Sequence, residues 1–185
     1  DGQHTKMMKY IRRSEIAHHI SHPRRPNENP AEGGIRELKR HFYRLQHKYQ
    51  VPLRLWDYLL SYTSEILTIT VNTSRYSAGR TPLERITGIT PDITEYLDFH
   101  FYEWCWYKTN AGLGPRLLGR WLGVSHRRGP AMTYWILPDT GSPISCDSVQ
   151  RVTNAELLTD NIKAMCLTYT ETITPLMDAA AGIIP

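Results

Sequence analysis

The stretch Pro30-Ala-Glu-Gly-Gly-Ile-Arg-Glu-Leu-Lys-Arg-His-Phe-Tyr-Arg-Leu-Gln-His-Lys-Tyr49 has the clearest helical pattern in the chain. When its residues are placed at about 100° per position, the apolar side chains fall within an arc of about 80°. These side chains are Ile35, Leu38, Phe42, Leu45 and Tyr49. Proline at the first helical position and Glu32 in the first turn are typical of a helix start. The sequence therefore predicts a helix from Pro30 to about Tyr49 with one side in a core.

The adjoining side of this helix carries a carboxylate and a row of basic residues. Its members are Glu32, Arg36, Lys39, Arg40, Tyr43 and His47, and Arg44 adds another cation. Concentrated positive charge on one helix face is the pattern expected of a protein that contacts nucleic-acid phosphates. A basic face that is merely solvated is the alternative. We predict DNA contacts by Arg36, Lys39, Arg40, Tyr43 and Arg44.

Toward the N-terminus lie a second acidic candidate and a proline-punctuated loop. The chain begins Asp1-Gly2, and the loop runs from Pro23 to Pro30, just before Glu32. Phosphoryl transfer with Mg²⁺ requires carboxylates from separate elements to meet at one point. Asp1 and Glu32 are therefore candidate metal ligands. The alternatives are an Asp-Gly turn at Asp1 and a capping box that pairs Glu32 with Asn29.

Three histidines precede this loop, at positions 18, 19 and 22. Adjacent residues of a strand point to opposite faces, and no cysteine lies nearby in the sequence, so a shared zinc ion is disfavoured. Residues 4 to 14 suit a short helix, and Ile16 to Ser21 suit a strand. We interpret His18, His19 and His22 as loop or DNA-facing groups.

Toward the C-terminus, helical patterns continue for about forty residues. Val51-Pro52 ends the first helix and starts another, whose predicted buried side is Leu55, Trp56, Leu59, Leu60, Thr63, Ile66 and Leu67. Asn72 to Arg80 is predicted to be a loop. Thr81 to Gly88 has the N-cap, proline and terminal glycine of a single short helix. Thr90 to Leu97 is predicted to be a linker or turn.

From Asp98 the hydrophobic period changes to two. Phe99 to Tyr107 reads as a strand, followed by strand candidates at residues 119–125, 132–137 and 144–149 with Gly/Pro turns between them. Four or five short strands in this space indicate a small β-barrel. Its core would hold Trp104, Trp106, Trp121, Tyr134 and Trp135, with base stacking by these rings the minority interpretation. The segment from Asn161 has weak periodicity, and no element is predicted there.

Composition restricts the class of protein. The hydrophobic content of 41% is enough for a packed core. Residues 1 to 50 carry 11 Lys/Arg against 5 Asp/Glu, and the remainder carries 11 against 13. Cys105, Cys146 and Cys166 form no Cys-x-x-Cys pair, which favours reduced core thiols. No apolar run is long enough for a membrane span, so we expect no membrane partner and a nuclear or cytoplasmic setting.

Several motifs resemble, in order, the integrase region of copia-type retrotransposons. The first comprises Pro23, Pro26, Asn29, Ala31 and Glu32, followed by Glu37-Leu-Lys-Arg40. The others are Trp56-Asp57, Gly79 to Ile93, Phe101 to Tyr107, and Leu118 to His126. The similarity covers roughly residues 1 to 153. Agreement of several separated motifs in the same order is more specific than any single one.

The resemblance implies an α+β chain made of a partial ribonuclease H-like (α/β) core and a small Src-homology-like β-barrel. The expected divisions are 1–70 for the core, 71–97 for a linker with a short helix, 98–153 for the barrel and 154–185 for a tail. Asp1 and Glu32 would be the second and third acids of an Asp-Asp-Glu triad. In the complete enzyme, this triad would bind Mg²⁺ or Mn²⁺ and join element ends to target DNA, in an expected homo-oligomer.

The family's first Asp lies upstream of the motifs seen in this sequence. The 185-residue chain is therefore expected to bind DNA but to be inactive in strand transfer by itself. Two alternatives remain open at this point. One is a non-catalytic DNA- or chromatin-binding module left from a decayed element, and the other is a structural interaction module whose barrel forms a protein interface.

Overall fold

A computed structural model describes residues 30–71, 78–109, 114–126 and 132–178. These residues form a mixed α+β structure of helices and one antiparallel sheet, as expected for the fold class in its general form. The predicted helix at 4–14 and strand at 16–21 lie outside the described residues. The chain divides into two units, Asp1–Glu37 and Leu38–Pro185.

The predicted first helix is confirmed as α1, Pro30–Tyr49. Phe42, Leu45 and Tyr49 pack against the main core of the second unit. Ile35 was predicted to belong to the same buried stripe, but that prediction is wrong because 53% of its surface is exposed. The apolar stripe of α1 is half-buried only from Leu38 onward.

A second helix follows after a short 3-10 turn, Leu53–Leu55. This helix is α2, Trp56–Ile69, and it buries Leu59, Tyr62 and Thr63. The Thr63 hydroxyl donates to the Leu59 carbonyl at 2.6 Å, which satisfies the buried polar group. Trp56 was predicted to be buried, but it is 48% exposed because the core contacts of α2 begin one turn later, at Leu59.

The predicted short helix is confirmed as α3, Pro82–Thr87. Thr81 caps it by accepting a 3.1 Å hydrogen bond from the Glu84 amide, and Gly88 ends it with a left-handed φ of 75°. A second 3-10 turn, Thr94–Tyr96, lies in the predicted linker before the sheet.

Five antiparallel strands form the sheet in the order β4-β3-β2-β1-β5. Their bounds are β1 Trp104–Lys108, β2 Arg116–Val124, β3 Tyr134–Leu137, β4 Ile144–Cys146 and β5 Val149–Arg151. The first strand starts later than the predicted Phe99, because Tyr102 has a left-handed φ of 62° and turns the chain before the ladder begins. The last candidate strand divides into β4 and β5.

The two outer strands of this sheet are adjacent in sequence, which requires the sheet to curl. Cys146 ends β4 and Val149 starts β5, and three Cα steps span at most about 11 Å. A flat sheet would hold its outer strands about 19 Å apart. The Cys146 thiol donates to the Lys108 carbonyl at 2.9 Å, and the Lys108 amide donates to the Ser148 carbonyl at 3.0 Å. These bonds hold the corner against the end of β1.

The concave side of the sheet and α2 share one core. Trp121 is fully buried at its centre and is surrounded by the rings of Tyr62, Phe99 and Tyr134. The prediction of a place in this core is confirmed for Trp121 and Tyr134, whereas Trp104 and Trp135 are half-buried. Trp106 is buried instead in a second cluster with Leu118 and Val152. Helix α2 therefore packs on the sheet rather than away from it.

The segment for which no element was predicted forms two helices, α4 Asn154–Leu157 and α5 Asp160–Asp178. Helix α5 buries Tyr169, Ile173 and Met177 in the main core. The Tyr169 hydroxyl donates to the Leu137 carbonyl at 2.8 Å. This helix is an integral part of the second unit.

Candidate nucleic-acid interface

The local sequence explains where α1 ends. Gln50 has a left-handed φ of 51°, and its side chain donates to the His47 carbonyl at 2.7 Å. The Val51 amide then donates to the Gln46 carbonyl at 3.1 Å, so two of the carbonyl groups in the last turn have partners. His47 and Lys48 lie in the last turn, where a positive charge is favoured by the helix dipole.

In the second unit, α1 presents a set of cations to solvent. Lys39, Arg40 and Arg44 are exposed, and Tyr43 is 63% exposed beside them. The opposite side of the helix holds Phe42 and Leu45 against the core. Lys39 and Arg44 form no ion pair within the part of the chain that the structure describes. Their charges are therefore not neutralised by a neighbouring carboxylate in that part.

Lys48 was not among the predicted DNA contacts. Lys48 is exposed, and its ammonium group lies 4.8 Å from the centre of the Tyr49 ring. It follows Arg40 and Arg44 at a spacing of four residues, which places the three side chains along one line of the helix. The i, i+4, i+8 spacing was a signal available in the sequence.

Two predicted site residues lie on the part of α1 that belongs to the first unit. Glu32 is exposed in the first turn of the helix, and Arg36 is exposed one turn later. Asp1, the other predicted metal ligand, lies outside the described residues, as do Asn29 and the three histidines at 18, 19 and 22. The structure thus places Glu32 but neither brings it together with Asp1 nor tests the proposed cap.

The described residues do not form a metal site. They contain no group of three or more His, Cys, Asp or Glu side chains arranged to hold a cation. Of the two predicted Mg²⁺ ligands, the described residues include only Glu32.

Another basic residue of the second unit, Arg120, is held inside the protein. Its guanidinium group lies 3.4 Å from the centre of the Trp104 ring and 4.7 Å from that of Tyr102. Its Nη1 donates to the Tyr102 carbonyl at 2.9 Å, and burial lowers the pKa of the guanidinium group. Arg120 contributes to packing and not to an exposed charged surface.

The cysteines are free and show no sign of activation. Cys105 and Cys146 are buried, and Cys166 is half-buried. Burial raises the pKa of both Cys105 and Cys166, which disfavours the reactive thiolate. We therefore assign Cys105 and Cys166 no nucleophilic role, and the Cys146 thiol donates to the main chain.

The chain matches no protein-family model, no curated protein and no solved structure. Within the described ranges, none of the helices is long and apolar enough to span a lipid bilayer.

Proposed function

We propose that α1 binds the phosphate backbone of DNA through Arg36, Lys39, Arg40, Tyr43 and Arg44. The observation that carries this proposal is the exposed set of cations at Lys39, Arg40 and Arg44, on a helix whose opposite side is anchored in the core. Because this helix is already held in place by the core, little conformational entropy is lost when its cations bind phosphate groups. Such contacts position DNA without reading its base sequence.

The charge distribution supports the same partner. Residues 1 to 50 carry a net charge of +6, whereas the remainder of the chain carries −2. Residues 1 to 50 therefore attract a polyanion, whereas the remainder of the chain repels it. Tyr43 adds an exposed hydroxyl donor of a kind that commonly contacts phosphate oxygens.

We further propose that the chain derives from a copia-type retrotransposon integrase and acts in DNA integration. What supports this class is the ordered series of motifs from Pro23 to His126. In this proposal residues 1 to about 70 correspond to the end of a ribonuclease H-like core, and 98–153 to a Src-homology-like barrel. The curled five-stranded sheet is consistent with such a barrel.

In the complete enzyme, Asp1 and Glu32 would hold Mg²⁺ or Mn²⁺, which supplies Lewis-acid stabilisation of the phosphoryl group during strand transfer. The basic side of α1 would then hold the DNA backbone. Element ends and target DNA are the proposed substrates, and a nuclear or cytoplasmic homo-oligomer is the proposed active form.

Salt-dependent DNA binding tests the proposal. Anisotropy of a labelled random-sequence duplex would be measured over a salt series with the triple variant Lys39→Ala, Arg40→Ala and Arg44→Ala. Since each phosphate contact contributes about 0.9 to the slope of log affinity against log salt, we expect the slope to fall by about 2 to 3.

The matched control replaces three exposed cations elsewhere, Arg80, Arg85 and Lys163, by alanine. It changes the net charge equally but should leave most of the slope intact. Equal losses in the two triple variants would reject α1 as the DNA contact, and so would an unchanged slope in the first. Duplex binding without strand transfer by an enzyme completed upstream would favour the non-catalytic module.

A further inference from the structure

A groove lies where the two edges of the curled sheet approach each other. Its volume is about 450 Å³. One wall is the end of the linker, with Leu97 and Asp98, and another is the entry to β3, with Met132. The remaining side is the β4–β5 corner and β5 itself, with Asp147, Val149 and Arg151. All of these residues belong to the second unit.

Among the residues that the structure describes, the strand along this groove has one hydrogen-bonding edge without a partner strand. The Lys108 amide donates to the Ser148 carbonyl, and the Val152 amide donates to the Trp104 carbonyl at 3.3 Å. Main-chain groups of an antiparallel strand alternate between its two sides. Residues 148, 150 and 152 therefore pair with β1, whereas Val149 and Arg151 direct their amide and carbonyl groups toward the groove.

The side chains around the groove leave it with a negative charge. The carboxylates of Asp98 and Asp147 are exposed and form no ion pair or hydrogen bond in the described part of the chain. Arg151 does not neutralise them, because its guanidinium group lies 2.6 Å from Glu103 Oε1. The pKa of Tyr134, which also lines the groove, is raised first by burial and then by the negative charges of Asp98 and Glu95.

Apolar surface is exposed beside these carboxylates. Leu97 is 67% exposed and Met132 is 42% exposed. An apolar surface with a charged border is characteristic of a protein-interaction site. The negative charge excludes a nucleic-acid strand and selects a basic ligand.

We propose that this groove binds an extended segment of a partner protein in which lysine or arginine alternates with apolar residues. The segment adds as a strand to the free edge of β5 and bonds to the main chain of Val149 and Arg151. Successive side chains of a strand point to opposite sides, so one set meets Asp98 and Asp147 while the other covers Leu97 and Met132. This surface is separate from the cations of α1 and does not depend on DNA binding.

A labelled synthetic peptide of alternating lysine and valine is a direct probe for the 185-residue chain. We expect it to bind, and to protect the Val149 and Arg151 amides from hydrogen exchange. The double variant Asp98→Asn with Asp147→Asn should lose affinity by about tenfold, because two exposed charge pairs are removed. Both side chains are exposed and have no ion pair among the described residues, so the variant should fold, which circular dichroism would confirm.

Two controls separate strand addition from general charge attraction. The variant Asp139→Asn with Asp178→Asn removes two exposed carboxylates outside the groove and should retain the affinity of the unmodified chain. A peptide N-methylated on the edge that faces β5 should bind at least about tenfold more weakly. The proposal is overturned if the methylated peptide binds equally well, or if both aspartate variants lose the same affinity.

Discussion

The Tyr96 hydroxyl donates a 2.9 Å hydrogen bond to Glu65 Oε2, which connects the 3-10 turn of the linker to α2. The other oxygen of the same carboxylate lies 3.4 Å from Nε2 of His126, at the end of β2. Glu65 therefore joins three separate parts of the second unit through one partly buried side chain.

Replacing Tyr96 by phenylalanine should destabilise the protein. The substitution keeps the ring but removes the only hydroxyl that donates to Glu65 among the described residues. A hydrogen bond to a charged group contributes about 1.5 to 3 kcal/mol, so we expect the free energy of unfolding in urea to fall by about 2 kcal/mol. Tyr43→Phe, at a ring that is 63% exposed, is the control and should have little effect.

Stability should decrease in alkaline solution because several tyrosines are buried as neutral phenols. Burial is the main cause that raises the pKa of Tyr62 and Tyr107 to about 12, against about 10 in an unfolded chain. Between these values the unfolded chain has released protons that the native state retains. The contribution of these two phenols to the free energy of unfolding is therefore fully present below about pH 10 and is lost as the pH rises toward 12. Urea midpoints and tyrosinate absorbance measure this, and an unchanged midpoint across that range would contradict it.

Truncation of Ile173 tests whether α5 is part of the core. Ile173 is 3% exposed, so its replacement by alanine should lower the free energy of unfolding by about 2 to 5 kcal/mol. Leu167→Ala on the same helix removes a side chain that is 64% exposed and should cost much less. Equal, small effects on the urea midpoint would show that α5 is not docked.

Two glycines should respond oppositely to substitution by alanine. A Cβ atom at Gly119 would lie 2.8 Å from Ile136 Cγ2 and 3.0 Å from the Leu137 carbonyl, so Gly119→Ala should destabilise the sheet by about 1 to 3 kcal/mol. Gly34 lies in α1 with nothing within 4 Å of the added atom. Gly34→Ala should stabilise the helix by up to about 1 kcal/mol. Thermal melting of both variants provides the comparison.

Glu32→Gln tests the proposed metal role of this carboxylate. The amide keeps the size and hydrogen-bonding reach of the side chain, so the melting temperature without metal should hardly change. In an enzyme completed with the upstream carboxylate, Mn²⁺ should broaden the NMR signals around Glu32 and lose this effect in the variant, because a neutral amide is a poorer ligand than a carboxylate. Glu171→Gln, at an exposed residue of α5, is the control. Broadening that persists in Glu32→Gln would remove Glu32 from the metal site.

Helical periodicity and turn chemistry predicted the elements whose signals are local. Helix α1 follows from the spacing of Phe42, Leu45 and Tyr49, and α3 follows from Thr81 and Gly88. The alternation of large apolar residues after Asp98 predicted strands in approximately the observed places. These patterns depend on neighbours in sequence, which a single chain displays directly.

Features set by tertiary contacts were not predicted. The left-handed Tyr102 delays β1 because its amide and carbonyl bond to Trp121 and Arg120, which are distant in sequence. Helix α5 has weak periodicity, since exposed threonines recur at every second position, which is the period of a strand and not of a helix. These are Thr168, Thr170, Thr172 and Thr174, and each bonds to a carbonyl one turn earlier. At the candidate site, the exposure of Lys39 and Arg44 agrees with the predicted face, whereas Glu32 alone does not make a metal site.

Strand β1 lies between β2 and β5, so both of its edges are paired only after β5 has been synthesised. Strand β1 is made before the partner on its second edge, which is complete only when translation reaches Val149–Arg151. Until then a nascent chain presents Trp104-Cys-Trp-Tyr-Lys108, an apolar segment with an open edge. The hazard of edge-to-edge association therefore ends only when β5 covers this edge.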